Sequence, residues 1–211
     1  MVIHKLVFSP IEVNTYVLED ASGDCAVIDC GCYNEEEFSR LENLFREKNL
    51  KPVLLLNTHL HLDHIFGNRL MLQRYNLSTW CSELDEMNRK MARQHAAIFG
   101  LSMEEPPLPA GYITDGETVR FGSVELKVLL VPGHSSGSLA FYAEKGKSVF
   151  TGDALFAGSI GRSDLPGGNH DTLIRSIKNK LFTLPQDTTV YPGHGEKTDV
   201  MTEMRYNPYF S

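Results

Sequence analysis

Nowhere in the 211 residues does an apolar run approach the roughly 20 residues that a membrane-spanning helix requires. Positive charge is also in short supply. Twenty basic side chains face 27 acidic ones, for a formal net charge of −7. No broad basic field is available to hold a phosphate backbone, which argues against nucleic acid as the main partner. Cysteine is sparse, at Cys25, Cys30, Cys32 and Cys81. The single residue between Cys30 and Cys32 is neither a C-x-x-C redox spacing nor a zinc-finger spacing, so four reduced thiols are expected. Met1-Val2-Ile3-His4-Lys5 lacks the basic-then-apolar layout of a signal peptide, and a cytoplasmic protein is expected. Low-complexity tracts, short repeats and flexible linkers are missing too, so residues 1–211 are read as one domain. What remains, 42% hydrophobic and 22% charged, is the composition of an ordinary globular enzyme.

The apolar patterning predicts strands over 2–8, 13–18 and 25–29, the last reached through an Ala21-Ser22-Gly23-Asp24 turn. Asn34 is placed to cap a helix over 35–49 that carries Phe38, Leu41, Leu44 and Phe45 on one face. A strand over 52–56 follows, then helices over 64–75 and 82–100. Gly100 and the Pro106-Pro107-Leu108-Pro109 cluster open an irregular connection of the kind that often covers an active site. Strands resume over 118–121, 124–131, 139–143 and 148–151. A helix starting at Asn169 or Asp171 runs to Leu181, and 188–191 is expected to be the last strand. Trp80, Met87 and Met91 are read as packing residues.

The densest chemistry lies in His59-Leu60-His61-Leu62-Asp63-His64, directly after the apolar run 52–56. His59 and His61 are two apart, so an extended backbone points both to one side. Asp63 and His64 follow where the chain must turn, able to serve a neighbouring centre. Three further β-runs each stop at a metal-binding residue: Val131-Pro132-Gly133 at His134, Phe150-Thr151-Gly152 at Asp153, and Tyr191-Pro192-Gly193 at His194. Pro-Gly before each histidine makes a tight turn and lets the backbone pass close to a site. Five histidines and two aspartates are too many for one tetrahedral zinc. They suit two divalent ions about 3.5–4 Å apart. Imidazoles without a thiolate favour zinc, and the carboxylates make iron and manganese acceptable. His4, His95 and His170 sit in a strand, a helical stretch and a helix start, where structural roles are expected.

The stretch Thr58–His64, with Pro132-Gly133-His134, Thr151-Gly152-Asp153 and Pro192-Gly193-His194, resembles the metallo-β-lactamase superfamily over residues 7–196. Within it the chain is most similar to the glyoxalase II (hydroxyacylglutathione hydrolase)-like group. The resemblance implies an α/β fold, an αββα sandwich of two β-sheets flanked by helices, with a dimetal site at one edge. It implies that His59, His61 and His134 hold the first metal, that Asp63, His64 and His194 hold the second, and that Asp153 bridges. It makes Asp63 a catalytic residue that orients the attacking hydroxide, and Asp29 a support for a ligand imidazole. An aspartate at 153 is typical of the thioesterases, lactonases, phosphodiesterases and persulfide dioxygenases of this superfamily. Its secreted β-lactamases commonly carry Cys or Ser there.

For substrate, the Gly161-Arg162 pair resembles the Gly-Arg or Gly-Lys with which glyoxalase II grips the glycine carboxylate of glutathione, making Arg162 the substrate-binding residue. The alternative for Arg162 is an ion pair with Asp164 or Asp171. Two features depart from that group. Glu196 stands where an aromatic residue is usual, and only Lys197 and Arg205 are basic after His194, in place of a helical C-terminal domain. The expected activity is hydrolysis of a small thioester such as a 2-hydroxyacyl-glutathione. The alternatives are a lactone or ester hydrolase, or a persulfide dioxygenase holding one iron through His61, His134 and Asp153.

Overall fold

The computed structural model describes residues 1–210. Its first half is a sheet built from β1 (Val2–Phe8), β2 (Val13–Glu19), β3 (Asp24–Ile28), β4 (Lys51–Leu56), β5 (Thr79–Cys81) and β6 (Gly111–Tyr112), in that spatial order. The helices interleaved with it are α1 (Glu35–Glu47), α2 (Leu62–Ile65), α3 (Asn68–Tyr75) and α4 (Glu86–Ile98). In the second half come β7 (Thr118–Phe121), β8 (Val124–Leu130), β9 (Leu139–Ala143), β10 (Ser148–Gly152), the short hairpin β11 (Leu155–Phe156) and β12 (Ser159–Ile160), α5 (His170–Ser176), β13 (Thr189–Pro192), β14 (Thr198–Asp199) and α6 (Val200–Tyr206). The second sheet runs β14-β13-β10-β9-β8-β7. Strand pairs joined through a helix, β3 with β4 and β10 with β13, are parallel, as crossovers require.

Three apolar layers hold this αββα sandwich together. Tyr16, Leu18, Ile28 and Leu56 of the first sheet meet Leu126, Val128, Phe141 and Phe150 of the second. On the outer side of the first sheet, Val17, Val27 and Leu55 pack under Phe38, Leu41 and Phe45 of α1 and Met71 of α3. Outside the second sheet, Tyr142, Val149 and Val190 pack against Leu173 and Ile177. Strands covered on both faces need not alternate, which is why β2, β9 and β10 are buried at nearly every position, Asn14, Thr15 and Thr151 included. The spacing Phe38, Leu41, Phe45 gives α1 its buried stripe, and the Asn34 side chain accepts from Glu37 N at 2.9 Å to cap it, as expected.

Several boundaries differ from the sequence reading. The helix expected over 64–75 is two, α2 and α3, parted at Gly67, whose amide is drawn off to the Cys30 carbonyl at 2.8 Å. The stretch 82–100 begins with a 3-10 turn over Glu83–Asp85 before α4, and the helix ending at Leu181 finishes as a π segment over Ile177–Leu181. The strand at 188–191 is not the last, because β14 pairs antiparallel with β13 and α6 follows. Strands β5 and β6 were invisible because three and two residues are too few to show a period. Trp80, 37% exposed, does pack, its ring lying against Gly111 of β6, whereas Met87 is 65% exposed and is not a packing residue. The connection after Gly100 packs beside Tyr33, Phe66 and Arg69 and leaves the site open. No disulfide links the four buried cysteines, and no described helix is long and apolar enough to cross a membrane.

Candidate metal centre

Four strands end at one edge of the sandwich and deliver the seven expected side chains there. β4 leads to His59 and His61, with Asp63 and His64 on the first turn of α2; β8, β10 and β13 lead to His134, Asp153 and His194. His59 and His61 do fall on one side, with ring centroids 4.7 Å apart. Three overlapping groups form: His59, His61 and His134; Asp63, His64 and His194; and His59, His64 and Asp153. In the first, His61 Nδ1 and His59 Nε2 lie 2.9 and 3.2 Å from His134 Nε2. In the second, Asp63 Oδ2 lies 3.1 Å from His194 Nε2 and 3.6 Å from His64 Nε2. Asp153 reaches both groups, Oδ1 lying 3.4 Å from His64 Nε2 and Oδ2 3.7 Å from His134 Nε2 and 3.6 Å from His194 Nε2.

The outward faces of the imidazoles show which nitrogen carries hydrogen. His134 Nδ1 sits 2.7 Å from the Arg162 carbonyl and His194 Nδ1 3.1 Å from the Glu12 carbonyl. A carbonyl only accepts, so both Nδ1 atoms donate and both Nε2 atoms turn a lone pair inward. His64 Nδ1 donates to Asp29 Oδ2 at 2.9 Å. His59 Nδ1 donates to Thr58 Oγ1 at 3.1 Å, and that hydroxyl in turn donates to Asp29 Oδ2 at 2.6 Å. With these imidazoles neutral, lone pairs of nitrogen and carboxylate oxygen converge on a common space. Buried His64 Nε2 and Asp153 Oδ1 have no hydrogen-bond partner among the described residues, an arrangement that would be costly unless a cation is shared. A proton on His64 would fit poorly, because 3.4 and 3.6 Å exceed the 2.7–2.9 Å of a charge-assisted hydrogen bond. Donors held tetrahedrally at about 2.1 Å from a metal lie about 3.4 Å from one another, close to the spacings found. The donor set fits two divalent cations.

Electrostatics puts His59, His61, Asp63 and Asp153 in the form a metal needs. Burial, then the neighbouring His64, pulls the pKa of His59 well below the ordinary histidine value. Burial and His134 bring His61 down to about 3. Burial opposes ionisation of Asp63 and Asp153, but the surrounding imidazoles, His64 foremost, outweigh it and hold both below the usual carboxylate range. Burial lowers His64 and His194, yet Asp63 and Asp153 more than compensate and raise both. The pull of Asp63 and Asp153 on positive charge at His64 and His194, beside neutral His59 and His61, is the pull a bound cation would meet.

Outside this cluster the expectations divide. Asp29, in left-handed backbone at φ +55°, supports His64 directly and His59 through Thr58, and also accepts from Thr58 N at 2.8 Å. The first part of that role was expected; the relay through Thr58 was missed. Gly193 does pass close to the site. Gly133 instead lies against the Leu173 backbone, so that turn packs α5 rather than serving the centre. His4 pairs with Glu19 at 2.7 Å, and His170 stands near Tyr209; neither joins the cluster. His95 lines the cleft without joining the donors. Arg162 borders the cleft through an exposed side chain whose Nε and Nη2 make 2.8 Å bonds to Asp164, the ion pair weighed as the alternative, while its carbonyl holds His134. The cleft, about 510 Å³, opens over His61, Asp63, His134, Asp153 and His194, with Ile11, Leu62, Ile98, Phe99, Leu165 and Pro166 as its apolar wall.

The chain has relatives among known proteins. A hydroxyacylglutathione hydrolase GloC of Haemophilus influenzae is 36% identical over 94% of this chain and 92% of its own. The crystal structure of TTHA1623 in a di-iron-bound form superposes with a TM-score of 0.88 at 37% identity, covering 98% and 99% of the two chains. The B3 metallo-beta-lactamase BLEG-1 superposes with a TM-score of 0.88 at 28% identity over 100% of both. The model of the metallo-beta-lactamase superfamily matches residues 9–194, a span that holds all four ligand-bearing strand ends, and the chain belongs to that superfamily.

Proposed function

We propose that this protein is a dimetal hydrolase of small thioesters of the hydroxyacylglutathione kind. The observation that carries the reading is the convergence of seven lone-pair donors into two groups joined by Asp153, at the floor of an open cleft. Likeness to the Haemophilus influenzae hydrolase supports the thioester. The residues that would hold the cations are His59, His61 and His134 in one group and Asp63, His64 and His194 in the other. Zinc and iron both suit imidazole with carboxylate and no thiolate; zinc is our assignment. Bound there, such ions supply a hydroxide near neutral pH and polarise a carbonyl.

The chain's own groups do the rest. Asp63, kept ionised by its imidazole neighbours, presents a carboxylate oxygen at the cleft floor that accepts a hydrogen bond from the attacking hydroxide and aims its lone pair. The apolar wall from Ile98 to Pro166 excludes bulk water from one side of the reacting carbonyl. Among the described residues lining the cleft, His95 and Arg162 are the only titratable groups outside the donor set. A cleft so poor in proton donors suits a leaving group that departs unprotonated. A thiolate, with a parent pKa of about 8.5, meets that need far better than an amide nitrogen.

Arg162 tests the glutathione part. Its pair with Asp164 is exposed, so it contributes little and the guanidinium can exchange Asp164 for a substrate carboxylate. Arg162→Ala is expected to raise KM for a 2-hydroxyacyl-glutathione about tenfold with kcat kept, and to leave an uncharged thioester unaffected. Unchanged steady-state constants for both substrates would remove Arg162 from recognition. No turnover of either by wild-type enzyme carrying its metals would remove the thioesterase reading itself.

A further inference from the structure

We infer that Asp85 is a positioning residue that sets the two ligand-bearing loops of the three-histidine group against each other. It stands in the 3-10 turn before α4, is 1% exposed, and belongs to no motif that singled out the ligands. Its Oδ2 accepts from the backbone N–H of Leu60 at 3.0 Å and from Ser135 Oγ at 2.8 Å, while Oδ1 accepts from Gly137 N at 2.7 Å. Leu60 lies between His59 and His61, and Ser135 follows His134. One carboxylate thus grips both chain segments that supply this group, which come from different sheets and share no strand pairing at that point.

The chemistry calls for a carboxylate. Three donors point at two oxygens with no basic side chain among their hydrogen bonds, and the nearby Arg89 is taken up by Glu86 and the Pro106 carbonyl. An asparagine would replace one acceptor with an NH₂ facing an N–H, pushing one loop away. Ser135 Oγ extends the grip to Ser138 Oγ at 2.8 Å, where β9 begins. Asp85 also leads into α4, whose far end carries Ile98 and Phe99 to the cleft mouth, so the apolar wall and the three-histidine group share an anchor.

The inference rests on the reading that His59, His61 and His134 hold a metal, and a titration of metal-free protein with Zn²⁺ separates the two. Wild type is expected to bind two ions in resolvable steps, one of which His61→Ala abolishes. Asp85→Asn should weaken that same step 10- to 100-fold and leave the other within about twofold. Asp20→Asn is the structural control. Asp20 is another buried carboxylate, holding the turn at Ser22 to the turn at Ser123 far from the ligands, and its loss should lower Tm with both steps unchanged. Ser135→Ala, milder, should weaken the same step several-fold and covers the case in which Asp85→Asn does not fold. Two wild-type steps with Asp85→Asn binding as wild type, or weakening both steps alike, overturns the role of Asp85. If Asp85→Asn does not fold, Ser135→Ala binding as wild type does the same. A wild type with no step sensitive to His61→Ala overturns the underlying reading instead.

Discussion

His61→Ala removes one metal equivalent per chain and lowers kcat/KM for a thioester by at least about 10²–10³-fold, the scale of losing one preorganised electrostatic stabiliser of a developing oxyanion. The residue faces the cleft, and its Nδ1 is one of two ring nitrogens within 3.2 Å of His134 Nε2, the other being His59 Nε2. The ring contacts of this imidazole are with other donors, His59 and His134. In the metal-free protein the substitution removes one contact of a half-buried ring, His61 Nδ1 to His134 Nε2 at 2.9 Å, so the Tm of that form should stay close to wild type. The two readouts therefore move apart: metal content and turnover fall while the Tm of the metal-free form holds. Near-normal turnover with that site emptied would contradict the assignment.

Gly193→Ala carries the second largest expected effect, through a single methyl group. A Cβ there would lie 2.1 Å from Asp153 Oδ1 and 2.8 Å from His64 Cε1, so the Asp153 carboxylate must move by more than an ångström unless the backbone gives way. The backbone is held. Gly193 is pinned by its N–H to the Gly152 carbonyl at 2.8 Å and by its own carbonyl, which accepts from Asn14 N at 2.7 Å. Displacements of about 1 Å at a reacting centre cost on the order of 10²-fold in rate, and that loss is expected in kcat. Metal analysis should show the Asp63–His64–His194 group depleted first. A variant with both metals and full activity would mean that the backbone does not pass as close to the centre as described.

Much of the site was legible because its signal is local. Four ligands fall within 59–64, and each later one closes a short apolar strand, so residue type and chain position coincide. The layering was legible for a related reason: strands covered on both faces hold apolar residues side by side, as Tyr16-Val17-Leu18 in β2, and α1 writes its buried stripe as Phe38, Leu41 and Phe45. What escaped is what depends on contacts between distant segments. Asp85 meets Leu60 and Gly137 from 25 and 52 residues away, and nothing in Ser82-Glu83-Leu84-Asp85 distinguishes that carboxylate from a surface acid. Thr58 looked like a motif residue without a task until its hydroxyl was placed between His59 and Asp29. The short strands β5 and β6 owe their existence to the sheet edge beside them rather than to any pattern of their own. Arg162 shows a different gap: the sequence offered both a substrate contact and an ion pair, and the structure displays the pair while leaving the guanidinium at the cleft.

The most direct test of a dimetal hydrolase is metal content per chain in protein purified without added metal, read alongside thioester hydrolysis and persulfide-dependent oxygen uptake on the same sample. Seven converging donors split by Asp153 predict two equivalents per chain, zinc on our assignment, with thioester hydrolysis that chelation abolishes and no oxygen consumption. One equivalent of iron, with oxygen uptake and no hydrolysis, would contradict it.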